Sequence, residues 1–285
     1  LPALAAFIVS PPEEEGATEV PPATASVLPR NRPFDTTREA AGALPSSAPR
    51  PMAGGGTGGN LMFGAGTTNI PTVNTWAPPV FGSANNGATT GALATSVMRH
   101  IIVRASPLRN EKLSGILSSD GVLQVQRYNG LTGQWSNEWS ASDIGATYSA
   151  YRGFDIAYEQ NSGRAMVLYN SSTNGQLKYR IYDGVSWTAV QTLAAGSSNA
   201  AVWVRLEARP ASDELMAAFE NVTSNQLTAS RWTGSAWANT TTISAGLGLS
   251  TKQPFDVAWE SLSGHCLVTY GGTVVSGRAN TTVWN

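Results

Sequence analysis

The sequence repeats itself about every 50 residues, and that period limits what it can fold into. FDIAYEQNSGRAMVLYNSSTNGQLKYRIYDG, residues 154–184, aligns with VRLEARPASDELMAAFENVTSNQLTASRWTG, residues 204–234, at an offset of 50. FDVAWESLSGHCLVTYGGTVVSGRANTTVWN follows 51 residues later over 255–285. A more diverged copy, HIIVRASPLRNEKLSGILSSDGVLQVQRYNG, occupies 100–130, an offset of 54. A unit of this length cannot bury its apolar residues alone and must stack on its neighbours.

Within the clearest copy the period is that of strands. FDIAYEQ alternates Phe154, Ile156 and Tyr158 against Asp155 and Ala157. NSG is a turn signal, and RAMVLY is the dense apolar run of a strand covered on both faces. NSSTNG is a second turn, in which Gly175 is free to take a positive φ. QLKYRIY alternates again, DGV turns, and SWTAVQTL is a fourth strand. No segment carries a 3.6-residue apolar period, so almost no helix is expected. Four antiparallel strands per repeat predict an all-β, β-propeller-like fold of about four blades. The expected blades are 98–150, 151–202, 203–253 and 254–285.

Each copy also carries an aromatic, a polar residue and a glycine, with a tryptophan a few residues on. The pairs are Tyr128 and Trp135, Tyr182 and Trp187, and Trp232 and Trp237. Two roles fit these residues: packing of one blade on the next, or lining of sugar pockets between blades. On aromatic and glycine placement, residues 100–285 resemble the blade repeats of bacterial surface proteins and, more loosely, fucose-binding lectin and sialidase propellers. The lectin likeness implies glycan binding. The sialidase likeness implies an arginine triad, a tyrosine nucleophile with a glutamate, and repeated Ser-x-Asp-x-Gly-x-Thr-Trp turns. SSDGVLQ is the nearest match to such a turn and lacks the tryptophan.

Chemistry-bearing residues are sparse. Net charge is −1, with three lysines against fifteen arginines, so no basic field for nucleic acid exists. Thirteen acidic residues are scattered beyond residue 40, and Asp155 and Asp256 repeat in register, which favours a structural role over a catalytic one. His100 and His265 offer little imidazole chemistry and no metal set. The single cysteine, Cys266, excludes an internal disulfide and reads as a small core residue. MAGGGTGGN has no preceding strand and no following Gly-Lys-Ser, so it is not a phosphate loop. No enzyme, cofactor or metal is expected; a glycoside hydrolase ranks behind the glycan-binding reading. No run of 18 apolar residues exists to span a membrane as a helix. The Gly, Ser, Thr, Asn and Ala bias with 13% charged residues suits an extracellular or surface protein. Asn170, Asn221, Asn239 and Asn280 stand in Asn-x-Ser/Thr sequons.

The first 97 residues are compositionally distinct: a Pro/Ala/Gly-rich arm over 1–60 and a linker over 61–97. Taken alone the arm should be extended, ordered only by lying on another surface. Leu4, Phe7, Ile8 and Val9, in the apolar stretch LPALAAFIVS, are its expected contacts with a neighbouring subunit. In the linker, VNTWAPPVF resembles the fourth strand of a repeat, with Trp76 standing where Trp187 and Trp237 stand. The last repeat has its aromatic and polar residue, Trp284 and Asn285, but no fourth strand follows. A strand carrying Val73, Trp76, Val80 and Phe81 is therefore expected to pair beside Val283 and Trp284, within one chain or between chains. The leading functional expectation is a non-enzymatic structural or adhesive subunit that self-assembles, into a filament where head-to-tail donation does not close; its partner is itself and, in the alternative, glycans.

Overall fold

The computed structural model describes residues 60–64, 69–77, 79–90, 96–172, 176–194, 201–221, 224–247, 252–272 and 279–285. These residues form an all-β, propeller-like series of antiparallel sheets. A leading sheet contains β1 (Asn60–Gly64), β2 (Pro71–Ala77), β3 (Val80–Phe81) and β4 (Asn85–Asn86). Blade 1 contains β5 (Met98–Ala105), β6 (Glu111–Ser118), β7 (Leu123–Asn129) and β8 (Gln134–Ala141). Blade 2 contains β9 (Phe154–Tyr158), β10 (Ala165–Asn170), β11 (Gln176–Tyr182) and β12 (Gln191–Ala194). Blade 3 contains β13 (Ala201–Ala208), β14 (Leu215–Asn221), β15 (Gln226–Trp232) and β16 (Trp237–Ser244). Blade 4 has β17 (Phe255–Trp259), β18 (Cys266–Gly271) and β19 (Ala279–Trp284). One short 3-10 turn, Ala146–Tyr148, is the only helical element among the described residues.

In every blade the strands pair in chain order, and the first strands of successive sheets lie side by side: β1 with β5, β5 with β9, β9 with β13, β13 with β17. The core is accordingly split into layers between sheets. Met62, Val73 and Ile116 close the leading sheet on blade 1. Leu113, Val125, Phe154, Ile156, Val167 and Tyr169 fill the layer between blades 1 and 2. Met166, Leu168, Val204, Leu206, Ala217 and Phe219 fill the next. Met216, Ala218, Phe255, Val257, Cys266 and Val268 fill the last. A sheet with a layer on each side has no solvent face, which is why β10 and β14 are buried at every position. The same packing buries all five residues of β9, including Asp155, despite its alternating sequence.

The turn glycines earn their place at the third hairpin. Gly184 and Gly234 take φ of 105° and 92°, where a β-carbon would be strained. A β-carbon at Gly184 would also lie 3.0 Å from the Arg109 guanidinium. Gly175, expected to do likewise, lies outside the described residues.

One sequence expectation fails. The strand of residues 72–81 does not complete blade 4. β2 pairs with β1, in a register that sets Val73 opposite Met62, and with β3, where Trp76 faces Phe81. Val73 is buried against blade 1, not beside Val283 or Trp284, and β19 pairs with β18. The reason is chain entropy and burial together. A β1–β2 hairpin closes over a few residues, whereas pairing with β19 closes a loop of some 200 at higher entropic cost. The hairpin also buries Met62 and Val73 on Ile116.

Candidate functional site: an ion cluster across the inner strands

The register position held by Ile101, Asp155, Arg205 and Asp256 comes second in each repeat copy or next to it, on four consecutive inner strands. Side-by-side inner strands bring three of these together. Asp155 is 0% exposed. Its Oδ2 lies 3.2 Å from Arg205 Nη1 and 3.9 Å from Arg152 Nη2, and its Oδ1 lies 3.5 Å from Arg104 Nη2. The Leu206 backbone N–H donates to Oδ2 at 3.0 Å, and the Ile156 N–H donates to Oδ1 at 2.8 Å. Arg205 extends the cluster to blade 4, with Nε donating to Asp256 Oδ1 at 2.6 Å and Nη2 at 3.6 Å from Glu207 Oε2. Arg104 Nε donates to the Ile156 carbonyl at 3.2 Å. Arg152 Nη2 donates to Gln253 Oε1 at 2.7 Å.

Three guanidinium groups thus meet three carboxylates across four sheets. Burial lowers the Arg152 pKa. Burial is the largest influence on Arg205 and pulls the same way, but its hydrogen bond to Asp256 and the charges of Asp155, Asp256 and Glu207 together raise it. Burial raises the Glu207 carboxyl; it is also the largest influence on Asp256, but there the hydrogen bonds from Arg205 and the Val257 N–H and the charges of Arg205 and Arg152 together hold the carboxyl below the usual range. Every guanidinium here already has a carboxylate within 4 Å, so the arrangement is chemically a clamp between blades. Beside it, His100 Nε2 lies 3.3 Å from the Ala150 carbonyl oxygen, and the ring stands edge-on to Trp203 at 6.3 Å. Burial lowers its pKa, favouring the neutral ring.

Two tryptophans also donate to carboxylates of the preceding blade, from different positions in the repeat. Trp187 Nε1 donates to Glu138 Oε2 of the preceding blade at 2.9 Å, and Arg127 holds Glu138 Oε1 at 2.9 Å. One blade on, Trp232 Nε1 donates to Glu159 Oε1 at 2.7 Å, and Arg164 Nε donates to Glu159 Oε2 at 2.7 Å. The repeat aromatics sit in these brackets. Tyr128 and Trp135 are 5.4 Å apart, Tyr182 and Trp187 5.1 Å, and Trp232 and Trp237 5.6 Å. Trp187 also stands edge-on to Trp139, and Trp237 to Tyr179, across the blade boundary. Trp187 and Trp237 are half-buried, and Tyr182 and Trp232 are the buried members of their pairs. Trp76 is not their equivalent, since it stacks on Phe81 at 4.9 Å in the leading sheet.

Val80, Phe81 and Val283 are exposed, and Trp284 packs half-buried on the layer between blades 3 and 4. Leu4, Phe7, Ile8 and Val9 lie outside the described residues. Cys266 is buried, and burial pushes its thiol up to about 12, with Glu207 adding to the effect. Of the sequons, Asn170 and Asn221 are buried and unsuited to a glycan, while Asn239 and Asn280 are exposed. Among the described residues no three His, Cys, Asp or Glu side chains are grouped to hold a metal ion, and no helix is long and apolar enough to cross a membrane.

The arginines escaped the sequence reading. Asp155 and Asp256 were visible as register equivalents, but the alternation Asp155, Arg205, Asp256 on successive inner strands was the real signal. Opposite charges at one register of side-by-side strands are placed to pair. Arg104 and Arg152 come from other register positions and left no such trace.

No protein-family model and no curated protein sequence matches the chain. Among solved structures it is similar to a chain of the nidogen/laminin complex, with a TM-score of 0.44 and 14% identity over 79% of this chain and 74% of that one. It is also similar to the intramolecular trans-sialidase from Ruminococcus gnavus, with a TM-score of 0.40 and 10% identity over 70% of this chain and 45% of the enzyme.

Proposed function

We propose that the protein is a non-enzymatic, extracellular structural or adhesive subunit that self-assembles by strand complementation. The observation behind this reading is the outer edge of blade 4. Blades 1 to 3 each have a fourth strand, whereas β19 pairs with β18 and, among the described residues, presents its other edge unpaired. An open edge of this kind is a template for a strand from another chain. The donor in this proposal is the apolar stretch at residues 1–10 of a second copy, the sequence segment with the least reason to remain in water. The ion cluster supports a structural role, because its arginines are engaged by carboxylates within the protein. The test is sedimentation and negative-stain microscopy of the full chain and of a variant lacking residues 1–55. The full chain should assemble with rising concentration, and the shortened chain should not. Equal assembly by both would remove the arm from the mechanism, and a monomeric full chain would remove self-assembly.

A further inference from the structure

Blades 1 and 2 enclose a group of hydrogen-bond donors that lack acceptors. Trp139 on β8, Tyr169 on β10 and Arg180 on β11 meet in the layer between these blades. The Arg180 guanidinium stands 5.2 Å from the centre of the Trp139 ring and 5.9 Å from that of Trp187. The Tyr169 and Trp139 ring centres are 5.7 Å apart. Trp139 Nε1 is buried and has no hydrogen-bond partner. The Tyr169 hydroxyl has none among the described residues, and burial, with the Asp143 charge adding to it, pushes its pKa up to about 12, so it keeps its proton. Arg180 spends Nε on the Thr188 carbonyl at 2.8 Å, and its terminal nitrogens meet no acceptor among the described residues. Among those residues Arg99 and Arg180 are the only arginines without a carboxylate within 4 Å. The acidic groups that border the place are already held, Asp143 by Lys178 and Glu138 by Arg127. The Arg180 charge is therefore unmatched.

Packing of one blade on the next does not require this set. The register equivalents of Trp139, Tyr169 and Arg180 in the layer between blades 2 and 3 are Gln191, Phe219 and Ser230. Phe219 and Ser230 are fully buried there, and the polar groups are paired. The Tyr179 hydroxyl donates to Gln191 Oε1 at 2.7 Å, and the Ser230 hydroxyl shares a hydrogen bond with Thr240 Oγ1 at 2.9 Å. A buried donor goes without an acceptor only at a cost, and a set made of donors alone is complementary to an anion. We propose that this place between blades 1 and 2 binds a carboxylate group. The half-exposed Arg180 makes the outer contact through its terminal nitrogens, and the buried Trp139 N–H and Tyr169 hydroxyl make the inner ones. The two indoles hold the guanidinium by cation–π contact, so its planar fork is set before the ligand arrives. A planar monoanion matches the unmatched charge, whereas sulfate would bring surplus negative charge beside Asp143 and Glu138. The site is independent of self-assembly and of residues 1–10.

The test is calorimetric titration of the full chain, at constant ionic strength, with acetate, galacturonate, an oligogalacturonate and sulfate, while nitrogen–proton spectra follow the indole signals. The carboxylates should bind saturably and sulfate more weakly, and the Trp139 indole signal, assigned with Trp139→Phe, should move. Arg180→Gln should weaken carboxylate binding about tenfold and the isosteric Tyr169→Phe severalfold, with circular dichroism unchanged. Tighter binding of the oligomer than of galacturonate supports the site and makes an acidic polysaccharide the source of the carboxylate. Equal binding supports it and makes the source a free small acid. Carboxylates that fail to bind, or that leave the Trp139 indole signal in place, overturn the proposal. Binding that Arg180→Gln and Tyr169→Phe both leave unchanged overturns it too, and sulfate binding as tightly as acetate overturns the assignment to carboxylate.

Discussion

Asp155 is the residue on which three guanidinium groups and two backbone N–H groups converge, in a place without solvent. Asp155→Ala leaves those arginines without their common counter-ion and should lower unfolding free energy by about 3–5 kcal/mol. Asp256→Ala should cost well under half as much, because that carboxylate is mostly exposed and water can replace it. Urea titration of the two variants decides this, and equal losses would contradict the clamp. Glu220 is the opposite case. It is buried on β14 with neither carboxylate oxygen hydrogen-bonded, and burial raises its pKa from 4.5 to about 7. Between those values the folded state holds a proton that the unfolded state has released, so stability should fall as pH rises from 4.5 to 7. The decline attributable to this group is of the order of 3 kcal/mol, complete above pH 7 and absent below 4.5. Glu220→Gln should flatten that part of a stability-against-pH curve, and an unchanged slope would show that the carboxyl finds a partner.

At the scale of elements, the blade is held by its third hairpin. β15 ends on Trp232, which is buried and donates to Glu159, and β16 begins on Trp237, which is half-buried against Tyr179. Trp232→Ala empties a core site and removes one of the hydrogen bonds to Glu159, which Arg164 still holds, so it should cost about 3–5 kcal/mol. Trp237→Ala removes less buried area and should cost roughly 2 kcal/mol. Thermal unfolding of the pair should preserve that order. The aromatic–polar–glycine motif was legible from the repeats, as were the strands around it. Which of its two aromatics is buried was not, because that depends on how the preceding blade meets each ring: Glu159 takes the first ring of its pair, Trp232, whereas Glu138 takes the second, Trp187.

At the scale of the molecule, each sheet closes a layer begun by the one before, so stability accumulates sheet by sheet as in stacked repeats. Removing residues 1–95 takes the leading sheet from blade 1 and uncovers Ile116, Ile101 and Val103. The shortened chain should keep its β-sheet circular dichroism, melt at lower temperature and bind a hydrophobic dye more strongly. Unchanged melting would mean that the leading sheet contributes nothing to the series.

The sequence by itself determined the strand class, the 50-residue unit, the turns and the aromatic pairs, because these follow from alternation and spacing within one unit. Only the tertiary structure decided the partners of residues 71–77, because a strand with more than one possible neighbour takes those that cost least chain entropy and bury most apolar surface, and here these are 60–64 and the short strands that follow. It also decided that Asp155 is a buried hub. A charge at an alternating position reads as exposed until a second sheet covers that face, and what covers it comes from 50 residues away.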